Sequence, residues 1–213
     1  MAGARSKTEK PDFELERQLI DRHSGAVAGI DEAGRGPWAG PVVAAAVILD
    51  ERAMPEGLDD SKRLSERARE RLYEELITHH QVGVGIGDVE RIDRHNILQA
   101  SLWSMARALE SLANTPVAAL VDGNRAPKIA CHCQTVIGGD RRSLSVAAAS
   151  IIAKVTRDRM MTDLAISFPA YGWEANKGYG TKQHAQALEA HGVTAHHRRS
   201  FKPVAEALAR FAA

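Results

Sequence analysis

The sequence predicts an α/β fold built on a mixed sheet with helices on both faces. Three observations carry that expectation. Two apolar segments, residues 26–30 and 42–49, stand on either side of a Gly- and Pro-rich loop and read as a tight pair of buried strands. Beyond them, short apolar segments alternate with longer ones of helical period. The composition, 44% hydrophobic and 26% charged over 213 residues, suits one globular domain large enough to bury a core without disulfide or zinc staples.

Residues 1–24 are polar and mixed in charge, and read as an N-terminal tail or loosely attached helix ahead of a domain over 25–213. Residues 65–79 read as a helix with Ser65 as its N-cap. Val82, Val84 and Ile86 alternate with glycines, as in an edge or close-packed strand. Leu98, Leu102, Met105, Leu109 and Leu112 step by four and three, which makes an amphipathic helix. Pro116 breaks the chain, and 117–121 is a short buried strand ending at Asp122-Gly123. A further apolar piece surrounds Val136 and Ile137. Leu144, Ala148, Ile151 and Val155 step by four, three and four, giving a long helix, and 182–190 and 202–212 read as the last two.

The longest aliphatic run, 42–49, is too short to cross a bilayer, and the N-terminus carries no apolar signal core. The expectation is a soluble cytoplasmic protein, a monomer, with no membrane partner. The 28 Lys and Arg against 27 Asp and Glu predict no polyanion partner by net charge. Distribution says more: residues 121–160 hold seven basic groups and three acids, so either a polyanion surface or an ordinary solvated face lies there. Cys131 and Cys133, one residue apart, are poorly spaced for a mutual disulfide and too few for a zinc site, and read as reduced thiols.

The chemistry lies in acids at strand ends. Asp31-Glu32 stands where one apolar segment gives way to the Gly-rich loop, Asp122 ends another, and Asp140 closes a third. Burying an unpaired carboxylate is costly, so several at the ends of apolar strands suggest a shared cation. Oxygen-only ligands point to Mg²⁺ or Mn²⁺, and converging carboxylates of this kind build two-metal sites for phosphodiester hydrolysis. Each acid alone has an ordinary alternative, an N-cap, a turn or a salt bridge, and the four together leave the two readings level. Adjacent strand residues also point to opposite faces, so Asp31 and Glu32 share one site only if the strand frays at Glu32.

Ordered motifs then decide. Residues 31–37 (Asp-Glu-Ala-Gly-Arg-Gly-Pro), with Ala39-Gly40-Pro41-Val42-Val43, resemble the opening signature of ribonuclease HII, the type 2 ribonuclease H. The resemblance continues through Leu58-Asp59-Asp60-Ser61-Lys62-Arg63-Leu64, then Val121-Asp122-Gly123-Asn124. It extends to Gly139-Asp140 with residues 147–159, and to Lys177-Gly178-Tyr179-Gly180-Thr181 with His184. These blocks cover nearly the whole chain. About two dozen residues precede them, fewer than the extra substrate-binding domain of type 3 enzymes needs, which favours type 2.

The resemblance implies a ribonuclease H-like fold, a mixed five-stranded sheet flanked by helices. It implies a metal-dependent endoribonuclease acting on RNA–DNA hybrid duplexes and on ribonucleotide-containing DNA, cutting 5′ to single ribonucleotides and leaving 5′-phosphate and 3′-hydroxyl ends. The catalytic and metal-binding acids carry over to Asp31, Glu32, Asp122 and Asp140, with two Mn²⁺ or Mg²⁺ ions in the active complex. Asp158 competes with Asp140 for the fourth place, although an ion pair with Lys154 one turn earlier accounts for it more simply. The resemblance assigns 2′-hydroxyl contact to Gly34, Arg35 and Gly36, and stacking at the RNA–DNA junction to Tyr179. Lys62, Lys154 and the Arg141-Arg142 pair are candidate phosphate contacts, with solvated cations as the alternative. Trp38, Trp103 and Trp173 read as packing residues, Trp173 being the one of the three expected nearest the substrate, and His184 either orients a group near the site or makes a structural hydrogen bond.

Overall fold

The computed structural model describes residues 10–211. Five strands, β1 (Val27–Ala33), β2 (Val42–Ile48), β3 (Gln81–Gly87), β4 (Ala118–Asp122) and β5 (His132–Val136), form one sheet in the order β3-β2-β1-β4-β5. β1 pairs antiparallel with β2, and β2 with β3, whereas β4 and β5 join in parallel. This is the expected mixed, five-stranded sheet.

β2 explains why its sequence is a continuous apolar run. Ala45, Val47 and Leu49 pack toward α2 (Glu66–His79) and α4 (Leu144–Ser167). Ala44, Ala46 and Ile48 pack on the other face beneath α3 (Val89–Glu110). A strand covered on both faces has no polar side to show. Three helices, α5 (Trp173–Asn176), α6 (Lys182–His191) and α7 (Lys202–Phe211), build a separate apolar cluster beside the β1–β2 loop, around Trp173, Tyr171 and Met161. No helix among the described residues is long and apolar enough to cross a membrane.

Three elements differ from their sequence patterns. The described part of the 1–24 segment contains α1 (Glu14–His23), which is docked: Leu19 joins the core beside β4. Glu16 is buried, its Oε1 accepting from the Ser143 and Ser145 hydroxyls and the Ser145 main-chain N–H. Polarity alone cannot show that a helix buries a carboxylate with its own donors; residues 1–9 lie outside the described region. α3 begins nine residues before Leu98. It is interrupted at Asn96, whose φ of 64° breaks the helix and whose Oδ1 caps the following turn by accepting from the Gln99 N–H. β5 starts at His132, ahead of the apolar pair, because an edge strand paired only with β4 needs no continuous apolar run.

Candidate active site

The acids meet at the C-terminal end of β4, where the sheet opens. β1 pairs with β4 only as far as Ile30↔Val121, so Asp31 lies level with Asp122 beyond the last paired residues. β1 does not fray at Glu32: it stays paired with β2 through Ala33↔Val43. What lets Asp31 and Glu32 border one cleft is the missing neighbour on the β4 side. A cleft of about 340 Å³ is lined by Asp31, Glu32 and Asp122, by Gly34, Arg35 and Gly36, and by Lys62, Lys154 and Tyr179. Asp140 stands at its edge on a 3₁₀ turn, Gly139–Arg141, reached by the Lys62 ammonium at 3.8 Å. α4 crosses directly over β1 at Gly29, where a Cβ would come within 2.1 Å of the Ser145 carbonyl carbon, so the acids and the start of α4 are held in one block.

The carboxylates are held in place singly and repel one another. The Glu32 main-chain N–H donates to Asp31 Oδ1 at 2.7 Å, and the Gly139 N–H donates to Asp122 Oδ1 at 2.7 Å. Arg35 pairs with Glu32 Oε1 at 3.2 Å, which leaves Glu32 Oε2 buried without a partner. Among the described residues, no three acidic, histidine or cysteine side chains are already drawn together as a finished ligand set. Burial pushes the Asp31 carboxyl well above the ordinary range, and the charges of Glu32, Asp122 and Asp140 push it further. Glu32 is also raised, by burial against the opposing help of Arg35. Asp140 rises to about 6 through burial and the neighbouring Asp60 and Asp122. Lys62 is moved down by burial, but Asp60, Asp140, Asp31 and Asp122 outweigh this and hold its pKa above the usual value. Unspent oxygen lone pairs and mutual repulsion are what a hard divalent cation would satisfy.

A carboxyl whose folded-state pKa is raised stabilises the fold below its unfolded pKa, and that contribution is lost as pH rises through the folded value, here about 6 for Asp140. His197, lowered to about 3 chiefly by burial, acts oppositely, losing its contribution as pH falls below the unfolded value. The acids are therefore read by difference: in chelator at pH 8, Asp140→Asn is expected to exceed the wild type in stability by about 1–2 kcal/mol. The gap should narrow as pH falls through about 6 and close only near pH 4, around the unfolded carboxyl's pKa, and a gap independent of pH in denaturant melts would contradict the assignment.

Other predicted residues fall into two groups. Asp158 does not line the cleft and is spent on Lys154, which donates to both its oxygens at 2.6 Å. Tyr179 is 48% exposed, between Gly178 and Gly180, and its ring edge lies 3.5 Å from where a Gly36 Cβ would stand, so it forms the opposite wall of the Gly34–Gly36 loop. Trp173 is fully buried in the α5–α6 cluster, the packing place expected of it, and does not line the cleft. His184 is buried behind Tyr179. Its Nδ1–H donates to the Tyr179 carbonyl at 2.9 Å, and its Nε2 accepts from Trp173 Nε1–H and from His197, so it fixes the backbone that carries Tyr179.

Sequence reasoning missed four residues here. Asp60 and Ser61 are buried, and the Lys62 N–H donates to Asp60 Oδ1 at 3.0 Å while the Ser61 N–H donates to Ser150, which aims Lys62 over the acids. The Asp-Asp-Ser-Lys run was the available signal. Arg157 and Arg198 are buried below the Gly34–Pro41 loop, where a count of charge along the chain places them on the surface.

A family model described as ribonuclease HII matches residues 28–204. A ribonuclease HII of Xanthobacter autotrophicus is 52% identical over 92% of this chain and 78% of its own length. One from a Jannaschia species is 52% identical over 93% of this chain and 98% of its own. The ribonuclease H2 of Pyrococcus horikoshii superposes with a TM-score of 0.75 at 29% identity, over 88% of this chain and 99% of that one.

Proposed function

This chain belongs to the ribonuclease HII family and is an endoribonuclease of RNA–DNA hybrids; we propose that it also cuts 5′ to a single ribonucleotide embedded in duplex DNA, leaving 5′-phosphate and 3′-hydroxyl ends. The observation that carries this reading is the cleft itself: acids on one wall, the Gly34–Gly36 loop and Tyr179 facing each other across it.

Asp31, Glu32, Asp122 and Asp140 would hold two divalent cations, Mg²⁺ or Mn²⁺, and the all-oxygen set with its unpartnered Glu32 Oε2 fits either. Cations bound there supply an activated water and charge stabilisation for the departing 3′-oxygen. The chain's own residues do the rest. Gly34, Arg35 and Gly36 bring main-chain groups against the 2′-hydroxyl, the one group that separates RNA from DNA. Lys62, mostly exposed at the mouth, meets a phosphate of the cut strand as a compact positive charge. Tyr179 stacks on the sugar following the ribonucleotide. The partners are thus RNA–DNA hybrid duplex and ribonucleotide-containing DNA.

The test is a labelled DNA duplex carrying one ribonucleotide, with Mg²⁺ or Mn²⁺ and with chelator. A metal-dependent nick on the 5′ side, with an all-DNA duplex intact, is the expected result. Cleavage of a continuous hybrid alone would remove single-ribonucleotide recognition. Cleavage of all-DNA duplex would favour a DNA-directed nuclease of the same fold.

A further inference from the structure

Two guanidiniums lie under the loop that joins β1 to β2. Arg157 on α4 is 1% exposed, and Arg198, ahead of α7, is 0% exposed. Among the described residues neither makes an ion pair with a carboxylate. Arg198 donates from Nε to Gly40 O at 2.9 Å, from Nη1 to Arg35 O at 3.0 Å, and from Nη2 to Gly34 O at 2.6 Å and Pro41 O at 3.1 Å. It therefore closes the two ends of the loop onto one planar group. Arg157 donates from Nε to Pro41 O at 2.9 Å, from Nη2 to Ala39 O at 3.1 Å, and from Nη1 to Lys177 O at 2.9 Å. That last bond ties the loop to the segment carrying Tyr179, and the Trp38 N–H adds a second tie to Gly178 O at 2.8 Å.

Burying a cation without a counter-ion is unfavourable, and an apolar side chain would fill the space at lower cost. Burial lowers Arg157 to about 10, and burial together with Arg157 lowers Arg198 to about 9. What the arginines supply is geometry. A trans peptide directs its C=O and N–H to opposite sides. With the carbonyls of Gly34 and Arg35 turned onto Arg198, the N–H groups of Arg35 and Gly36 are turned away from it. Neither N–H has an acceptor among the described residues, and both residues line the cleft. Gly34 fits only without a side chain, with φ of 94° and a would-be Cβ 2.0 Å from Arg157 Nε.

We infer that Arg198 and Arg157 are positioning residues of the ribonucleotide reader: together they fix the peptide planes of Gly34 and Arg35, and the distance between this loop and Tyr179. The inference rests on the reading of Gly34–Gly36 as the part that contacts the 2′-hydroxyl.

Arg198→Lys and Arg157→Lys keep the charge and lose the planar fork. On the one-ribonucleotide duplex each is expected to lower kcat about 10–100-fold, since small misplacement of a positioned group costs that much. KM should stay within about threefold, because phosphate contacts dominate duplex binding. Each variant should still melt cooperatively. A folded Arg198→Lys with wild-type kcat would overturn the inference. So would a loss carried by KM alone, or failure of both lysine variants to fold, which would make the pair a purely structural support. A wild type that nicks the all-DNA duplex as readily as the ribonucleotide one would overturn the reader itself, a failure visible before any variant is compared.

Discussion

Asp31→Asn is expected to lower cleavage by about a thousandfold or more while making the metal-free protein more stable. The two effects have one cause. Asp31 is buried beside Glu32, Asp122 and Asp140, and its ionised form is disfavoured by burial first and by those three charges next. Asparagine keeps the Oδ1 that accepts the Glu32 N–H, so the local structure has no reason to change. It removes one charge from the repelling set, which should raise the melting temperature in chelator by roughly 2–4 °C for about 1 kcal/mol. A residue kept for stability would behave in the opposite way on both counts. Cleavage of a one-ribonucleotide duplex at the normal rate, measured with saturating Mg²⁺ or Mn²⁺, would remove Asp31 from the mechanism.

Tyr179→Ala is expected to slow cleavage at a single ribonucleotide by roughly 10–100-fold, the range set by about 1–3 kcal/mol of aromatic stacking. The ring is half exposed and contributes little to the core, so the melting temperature should barely move. Tyr179→Phe keeps the ring and should keep most of the rate. Its backbone is fixed independently, by the His184 Nδ1–H on the Tyr179 carbonyl and the Tyr179 N–H on Asn176 O. Truncation therefore removes the ring without freeing the segment. A variant that matches the wild type at single ribonucleotides would show that the stacking role is wrong.

The residues that were legible in the sequence are those whose environment is set by strand position. The continuous apolar run at 42–49 could only be a strand covered on two faces, and β2 is such a strand. Asp31 and Asp122 follow apolar strands and stand level at the end of their pairing. The rest depended on tertiary partners that have no local trace. Arg157 and Arg198 read as surface charge because the loop carbonyls that receive them, from Gly34 to Pro41, lie more than a hundred residues away in the chain. Glu16 belongs to a segment that reads as a polar tail or loosely attached helix, because its donors, Ser143 and Ser145, are equally distant. Trp173 reads as a packing residue and is one, its indole N–H donating to His184 within the cluster that also holds His197.

In the proposed function, four carboxylates that repel one another are drawn together by divalent cations. The direct measurement is thermal melting of the metal-free protein with and without Mn²⁺, for the wild type and for Asp31→Asn. The wild type should start lower and rise by about 5–10 °C at saturating metal, as expected for a ligand that binds only the folded state. Asp31→Asn should start higher and rise much less. Equal rises in the two proteins, or no rise in either, would contradict it.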